Sequence, residues 1–390
     1  MSQTELPAPD VDALAHSARL VAHLRELIAA EGGWIPFSRY MQEALYAPGL
    51  GYYSAGSTKF GAAGDFVTAP EVSPLFARCV ARQATEVLAA CGEGAVILEL
   101  GAGSGALAAE VLDALATSSA APAEYLILEV SAELRERQRE HIARAAPAQL
   151  SRVRWLDALP AQPIRGLVFA NEVLDALAVE RFAIADGRAR RTGVVLDGAA
   201  FAASDRDDAE VAAAVAALDL ELADGYRSEL PTYAPLLASL ADALAQGALL
   251  CVDYGTERAD FYAPARSRGT FICHHRHRVH EDPFRWPGLC DLTSWVEFTR
   301  LAEAGDRAGL DFAGYTTQAE FLIGCGLAEE AARRLAAGDG GEVARADLAR
   351  QVRWLTMPDE MGERFKAMAF VRDLDIELMG FAGPDLAHRL

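Results

Sequence analysis

The sequence predicts an α/β fold built on a mostly parallel sheet with helices packed against both faces. Three observations predict it. Short apolar runs ("AVILEL", "EYLILEV", "RVRWL", "GLVFANE" and "GALLCVDYG") alternate with longer helical stretches, the pattern that strand–helix units leave. The first run ends in a turn carrying Gly101, Gly103 and Gly105 before an apolar helix resumes, which sets backbone amides and a positive dipole end at the sheet's carboxyl edge. Composition agrees: 52% of the 390 residues are hydrophobic and 24% charged, as in ordinary folded proteins, and the length suits one large domain plus an appended lobe.

Taken in order, residues from Asp10 to Ala30 read as an amphipathic helix, and the segment after it, to Phe76, is rich in Gly, Pro and aromatics and reads as loop. The first strand closes on Glu99, Leu100 and Gly101, with a helix expected from Ala106. The second closes on Glu129, the third is followed by Asp157, and the fourth ends in Asn171 and Glu172, with Asp175 just beyond. A long insertion, with strand-like "ARRTGVVL" and helical "DDAEVAAAVAALDLELADGY", separates the fourth strand from "GALLCVDYG". A second excursion precedes the late apolar runs "LDFAGYTTQAEFL" and "RFKAMAFVRD".

A formal net charge of −20 opposes binding to a polyphosphate backbone, so nucleic acid is excluded as the principal partner. The six cysteines, at 79, 91, 251, 273, 290 and 325, are widely spaced and form no CxxC pair, so they read as reduced thiols. The N-terminus resembles neither a signal nor a transit peptide, and no apolar segment reaches the length of a membrane span, so a cytoplasmic protein without membrane insertion is expected. His274, His275, His277 and His280 alternate with Arg276 and Arg278, whose charge disfavours a cation; no metal is expected, and an acidic partner would suit this surface better.

Two ligands suit the glycine loop. Gly101-x-Gly103-x-x-Ala106 satisfies the relaxed dinucleotide pattern, with Glu129 where a ribose-binding acid should fall. S-adenosylmethionine is the other: it carries no phosphate but has an amino group, which Glu99, just ahead of the glycines, could meet. A pyrophosphate gains nothing from a carboxylate there. The ordered acids favour S-adenosylmethionine, with Glu129 on the ribose hydroxyls, Asp157 on the adenine amino group and Asn171, Glu172 and Asp175 where an acceptor would sit. A protein that binds cofactor or partner without turnover is a third reading.

The stretches "FSRYMQEALYAPGLGYY", "FGAAGDFVTAPEVSPLFA", "ELGAGSGALA", "EVSAELRERQ", "ANEVLDALAVERF", "DLTSWVEF" and "GYTTQAEFL" together resemble the MidA family, which includes the mitochondrial complex I assembly factor of methyltransferase type. The resemblance implies a class I methyltransferase with a Rossmann-like, seven-stranded, mostly parallel sheet and a substrate-recognition lobe formed by inserted and N-terminal segments. Residues 1–90 would form a helical and loop region covering the active site. The S-adenosylmethionine-binding core would take 91–175 and 247–390, and the insertions 176–246 and 256–300 the lobe. For the mitochondrial relatives it implies methylation of an arginine in a complex I subunit, hence a protein substrate; a homodimer is left open. In that chemistry Glu172 would orient the acceptor nitrogen, with Asp175 or Glu71 as a second carboxylate. Asp175 reads equally as an acid at a helix N-terminus. Gly64, Asp65, Thr68 and Glu71 could form a lid over the cofactor, or else a capping loop in which Asp65 and Ser73 bond local amides.

Overall fold

The computed structural model describes residues 6–54, 69, 73–116, 118, 120–338 and 341–390. These fall into two compact units.

The larger unit comprises the described residues of Val67–Leu174 with Tyr233–Thr256 and Phe298–Leu390. Seven of the strands in its sheet of eight are β1 (Val96–Leu100), β2 (Tyr125–Leu128), β3 (Val153–Leu156), β4 (Ile164–Asn171), β5 (Leu244–Thr256), β6 (Asp311–Thr317) and β7 (Phe365–Arg372). They lie in the order β6-β7-β5-β4-β1-β2-β3. Neighbours from β3 through β5 are parallel. β7 runs antiparallel to both β5 and β6, so one strand opposes the direction shared by the rest.

Parallel neighbours need crossovers, and helices supply them: α1 (Pro74–Cys91) enters β1, α2 (Ala106–Leu115) links β1 to β2, and α3 (Ala132–Ala145) links β2 to β3. β1 is buried along its whole length, as a strand covered on both faces must be. Ile97, Ile127, Phe169, Leu250 and Ala369 share one core with Phe76, Val80 and Val87 of α1 and Leu107 and Val111 of α2. The opposite face is covered by later helices, α4 (Ala234–Ala243) and α5 (Phe298–Arg307). There the Phe370 ring approaches so closely that a Cβ on Gly305 of α5 would lie 2.2 Å from it.

The apolar side of α1 is part of the sheet's core, and the helix belongs to the larger unit. α4 belongs to the larger unit too, with Leu237 and Leu240 buried. Ser73 caps α1, its Oγ accepting from the Leu75 amide at 3.1 Å and donating to Gln351 Oε1 at 2.9 Å. Ser73→Ala is expected to lower stability by about 1–2 kcal/mol, read as a fall in melting temperature; an unchanged melt would refute the cap's contribution.

The smaller unit comprises the described residues of Met1–Phe66 with Asp175–Thr232 and Glu257–Glu297. The first helix, Val11–Ala30, forms as expected, with Asp10 accepting from the Ala13 amide as its cap. It buries Leu20, Leu24 and Ile28 beside Phe37, Tyr40 and Met41 of the helix Phe37–Tyr46. A five-stranded antiparallel sheet is centred on Arg188–Asp197, which pairs with Glu180–Ala185, Ala200–Asp207 and Ile35–Pro36. The helix expected across "DDAEVAAAVAALDLELADGY" is shorter, Ala209–Ala216, because the chain turns left-handed at Asp219.

The histidine-rich stretch is a hairpin. Ile272–His275 pairs antiparallel with Arg278–His280, and the two residues between, Arg276 and His277, both have positive φ (48° and 59°), the mark of a type I′ turn. Pairing to Asp291–Thr293 completes a three-stranded sheet. His275 Nδ1 lies 2.9 Å from the Leu289 carbonyl, and His280 Nε2 lies 3.5 Å from Cys290 Sγ. Among the described residues no group of three or more His, Cys, Asp or Glu is placed to hold a metal ion.

Candidate active site at the switch point of the sheet

Strand order reverses between β1 and β4, where the chain goes first one way across the sheet and then the other. Open α/β sheets bind ligands at the carboxyl ends beside such a point. From the end of β1 the chain turns through Gly101, Gly103 and Gly105, with φ of 60°, 53° and 83°, a region that side chains disfavour. Gly105 is also packed against α3: a Cβ there would lie 3.1 Å from the Gln138 Cα. α2 begins at Ala106, as its sequence predicts, and turns its positive end to this loop.

Glu99, the acid ahead of the glycines, is 3% exposed, and its Oε2 accepts from the Tyr125 hydroxyl at 2.9 Å. Burial pushes its carboxyl up to about 8; the Tyr125 hydrogen bond holds it lower than burial alone would, and the charge of Glu129 adds to the rise. It stands behind the loop as a buried, readily protonated acid.

Glu129 follows β2 and is buried. Its Oε1 accepts from the Ser131 amide at 2.9 Å and its Oε2 from Gln138 Nε2 at 3.1 Å. Asp157, by contrast, has a side chain 91% exposed and is paired with Arg135 at 2.6 Å. Arg135 also donates to the carbonyls of Glu129 (2.6 Å) and Leu156 (3.0 Å), so one guanidinium ties the ends of β2 and β3 together.

Beyond the register pair Leu100–Ala170, β4 ends at Asn171 and Glu172. Asn171 Nδ2 donates to Glu172 Oε1 at 3.2 Å, while its buried Oδ1 has no hydrogen-bond partner among the described residues. Such an orphaned acceptor beside the loop suits an ammonium donor, which S-adenosylmethionine carries and a pyrophosphate does not. Glu172 has φ 51°, a strained value for a residue with a side chain, and is held there by its amide donating to the Val252 carbonyl at 2.9 Å. Val173 closes the corner, its Cγ2 3.6 Å from where a Gly101 Cβ would sit. The Asp253 carboxylate accepts from the Leu174 and Tyr254 amides, both at 2.9 Å.

Asp175 belongs to the smaller unit, whereas Glu172 belongs to the larger. No helix begins beside it, since residues 172–179 are turns and irregular backbone, so the helix-cap reading of Asp175 is set aside. It is buried, its carbonyl accepts from the Ser294 amide at 2.9 Å, and its charge contributes, after burial, Asp291 and Tyr46, to holding the Tyr53 hydroxyl well above its usual range. Gly64, Asp65, Thr68 and Glu71 lie outside the described residues.

Three residues central to this site were not singled out from the sequence: Tyr125, Gln138 and Trp155. Gln138 had a legible signal, because in α3 it occupies the buried stripe with Leu134 and Ile142 at a spacing of four, and an amide on an apolar stripe needs partners.

Comparison with known proteins agrees with this geometry. The chain is 28% identical to the protein arginine methyltransferase NDUFAF7, mitochondrial, of Danio rerio, over 89% of this chain and 85% of that one. It is equally similar, 28%, to the corresponding mitochondrial homolog of Drosophila melanogaster, over 93% and 87%. A crystal structure of a Burkholderia thailandensis protein bound to S-adenosyl-homocysteine superposes with a TM-score of 0.93 at 45% identity, covering 99% of this chain and 100% of that one. A family model described as "Putative S-adenosyl-L-methionine-dependent methyltransferase" matches residues 79–316, from α1 through β6. The dinucleotide reading of the loop therefore gives way, and the chain belongs to this family of S-adenosylmethionine-dependent methyltransferases.

Proposed function

We propose that this methyltransferase acts on an arginine of a protein. The observation that carries the reading is the Asn171–Glu172 corner, a carboxylate held in strained backbone at the end of β4 beside the glycine loop. The names of the relatives, protein arginine methyltransferases, support it. The sheet order with its one opposing strand fits the seven-stranded class I core that the sequence resemblance implies, and the smaller unit is read as the substrate-recognition lobe. Six cysteines, all buried free thiols, support placement in the cytoplasm.

When bound, S-adenosylmethionine supplies a methyl carbon activated by its sulfonium. The chain's own residues hold and align the partners. Gly101, Gly103 and Gly105 admit the ligand close to the backbone, Asn171 Oδ1 accepts from its amino group, and Glu129 takes the ribose hydroxyls. Glu172 orients the acceptor guanidinium by charge-assisted hydrogen bonds and takes up its proton as the nitrogen is alkylated.

The test incubates the purified chain with S-adenosylmethionine carrying a labelled methyl group and the protein extract of a strain lacking the enzyme, then hydrolyses the products to amino acids. Label in methylarginine is expected, falling by about 100-fold or more with Glu172→Gln. Label in another amino acid, or native transfer by the variant, would overturn the reading; binding without any transfer would favour a scaffold.

A further inference from the structure

We propose that Gln138 is a positioning residue for the cofactor: its side-chain amide fixes both the glycine loop and the Glu129 carboxylate, and Trp155 sets its orientation. The inference rests on Glu129 receiving the ribose hydroxyls, as argued above.

Gln138 is 0% exposed, so its polar atoms are satisfied within the protein. Its Nε2 donates to the Gly103 carbonyl at 3.0 Å and to Glu129 Oε2 at 3.1 Å, so both amide hydrogens are committed. Its Oε1 accepts from Trp155 Nε1 at 2.9 Å. An indole nitrogen only donates, so the amide cannot be reversed: the oxygen must face Trp155 and the nitrogen must face the loop and the acid. Arg139 lies over the Trp155 ring, 4.4 Å from its centroid, and steadies the indole in turn.

The consequence is geometric. A carboxylate gripped at one oxygen by the Ser131 amide and at the other by Gln138 has its plane fixed. The same amide pins the carbonyl of Gly103, midway along the turn, while Gly105 is backed against the Gln138 Cα. One buried side chain thus sets the spacing between the loop that meets the methionine half of the ligand and the acid that meets its sugar. Such supporting groups act through the residues that touch the ligand, and their loss costs affinity without removing a contact.

The test is calorimetric titration with S-adenosylhomocysteine and with its 2′-deoxy analogue, on the parent chain, Gln138→Met and Gln138→Glu, each checked for a folded melt. For the parent, loss of the hydroxyl should weaken binding; in Gln138→Met, S-adenosylhomocysteine should bind about 10- to 100-fold more weakly and the penalty for the missing hydroxyl should shrink. Gln138→Glu keeps the shape but sets a carboxylate against the Gly103 carbonyl and Glu129. Relative to the parent at the same pH, its binding should be poor at pH 8, and that deficit should shrink toward pH 5.5, where the introduced carboxyl regains a proton to donate; Gln138→Met should keep a constant deficit. A purely structural role would weaken both ligands equally and leave the Gln138→Glu pH profile parallel to the parent's, and either result, or unaltered affinity in Gln138→Met, would overturn the proposal. A parent that binds S-adenosylhomocysteine but is indifferent to the 2′-hydroxyl would instead remove the ribose role of Glu129 and the inference with it.

Discussion

Glu129→Ala is expected to lower affinity for S-adenosylhomocysteine by about 100-fold or more, since two hydroxyls donating to one carboxylate are charge-assisted bonds of about 1.5–3 kcal/mol each. Stability should fall as well, because the buried Ser131 amide loses its acceptor and Gln138 Nε2 loses one of its two. Calorimetry of the variant, beside a thermal melt to confirm folding, measures the effect, with NAD as a second ligand that neither protein should bind. A variant binding S-adenosylhomocysteine as the parent does would remove Glu129 from the site; NAD binding would return the loop to a dinucleotide.

The second large effect concerns Glu99 and pH. Its carboxyl is raised by burial to about 8, so at neutral pH it is mostly protonated in the free protein. A cationic amino group arriving at the loop favours the ionised form, so binding expels a proton. Affinity should therefore rise with pH, by up to about tenfold per pH unit, and level off near 8, where Glu99 is already ionised. Glu99→Gln should flatten this profile, and titration in buffers of different ionisation enthalpy should show the proton release vanish with it. Stability runs the other way. Between the ordinary carboxyl value of 4.5 and about 8 the folded state binds more protons than the unfolded state, so stability is greatest at the acid end and declines as pH rises through that window. Glu99→Gln removes the decline, and the free variant should outlast the parent above pH 8 by an amount on the order of a few kcal/mol. Parallel pH profiles for the two proteins would show that Glu99 titrates normally.

The frame of the larger unit was legible because its signals are local. Each strand run is apolar and bounded by turn residues, and the glycine turn and the start of α2 at Ala106 follow from backbone preferences within a few residues. Glu99 and Glu129 were visible for the same reason, each at a strand end. What stayed hidden was pairwise. Tyr125 and Glu99 meet across adjacent strands, and Gln138 joins residues from a loop, a strand end and a second strand, contacts that no spacing along the chain displays. Its position after β3 gave no sign that Asp157 would pair with Arg135 at the surface. A helix's allegiance was not legible either, because it depends on which sheet its apolar side meets: α1 and α4 look alike from sequence whichever way they pack.

The position of β7 bears on how the chain matures during synthesis. β7 leaves the ribosome after the other six strands, yet it lies between β5 and β6, and among the described residues β6 reaches the rest of the sheet through it. Until residue 372 has emerged, one edge of β5 is open to mispairing and β6 has nothing to join. Closure is therefore a late, long-range event that joins segments distant in sequence, which slows folding and prolongs the exposure of sticky strand edges. Nascent chains of this enzyme should depend on chaperones most in the interval after β5 has emerged and before β7 has followed it.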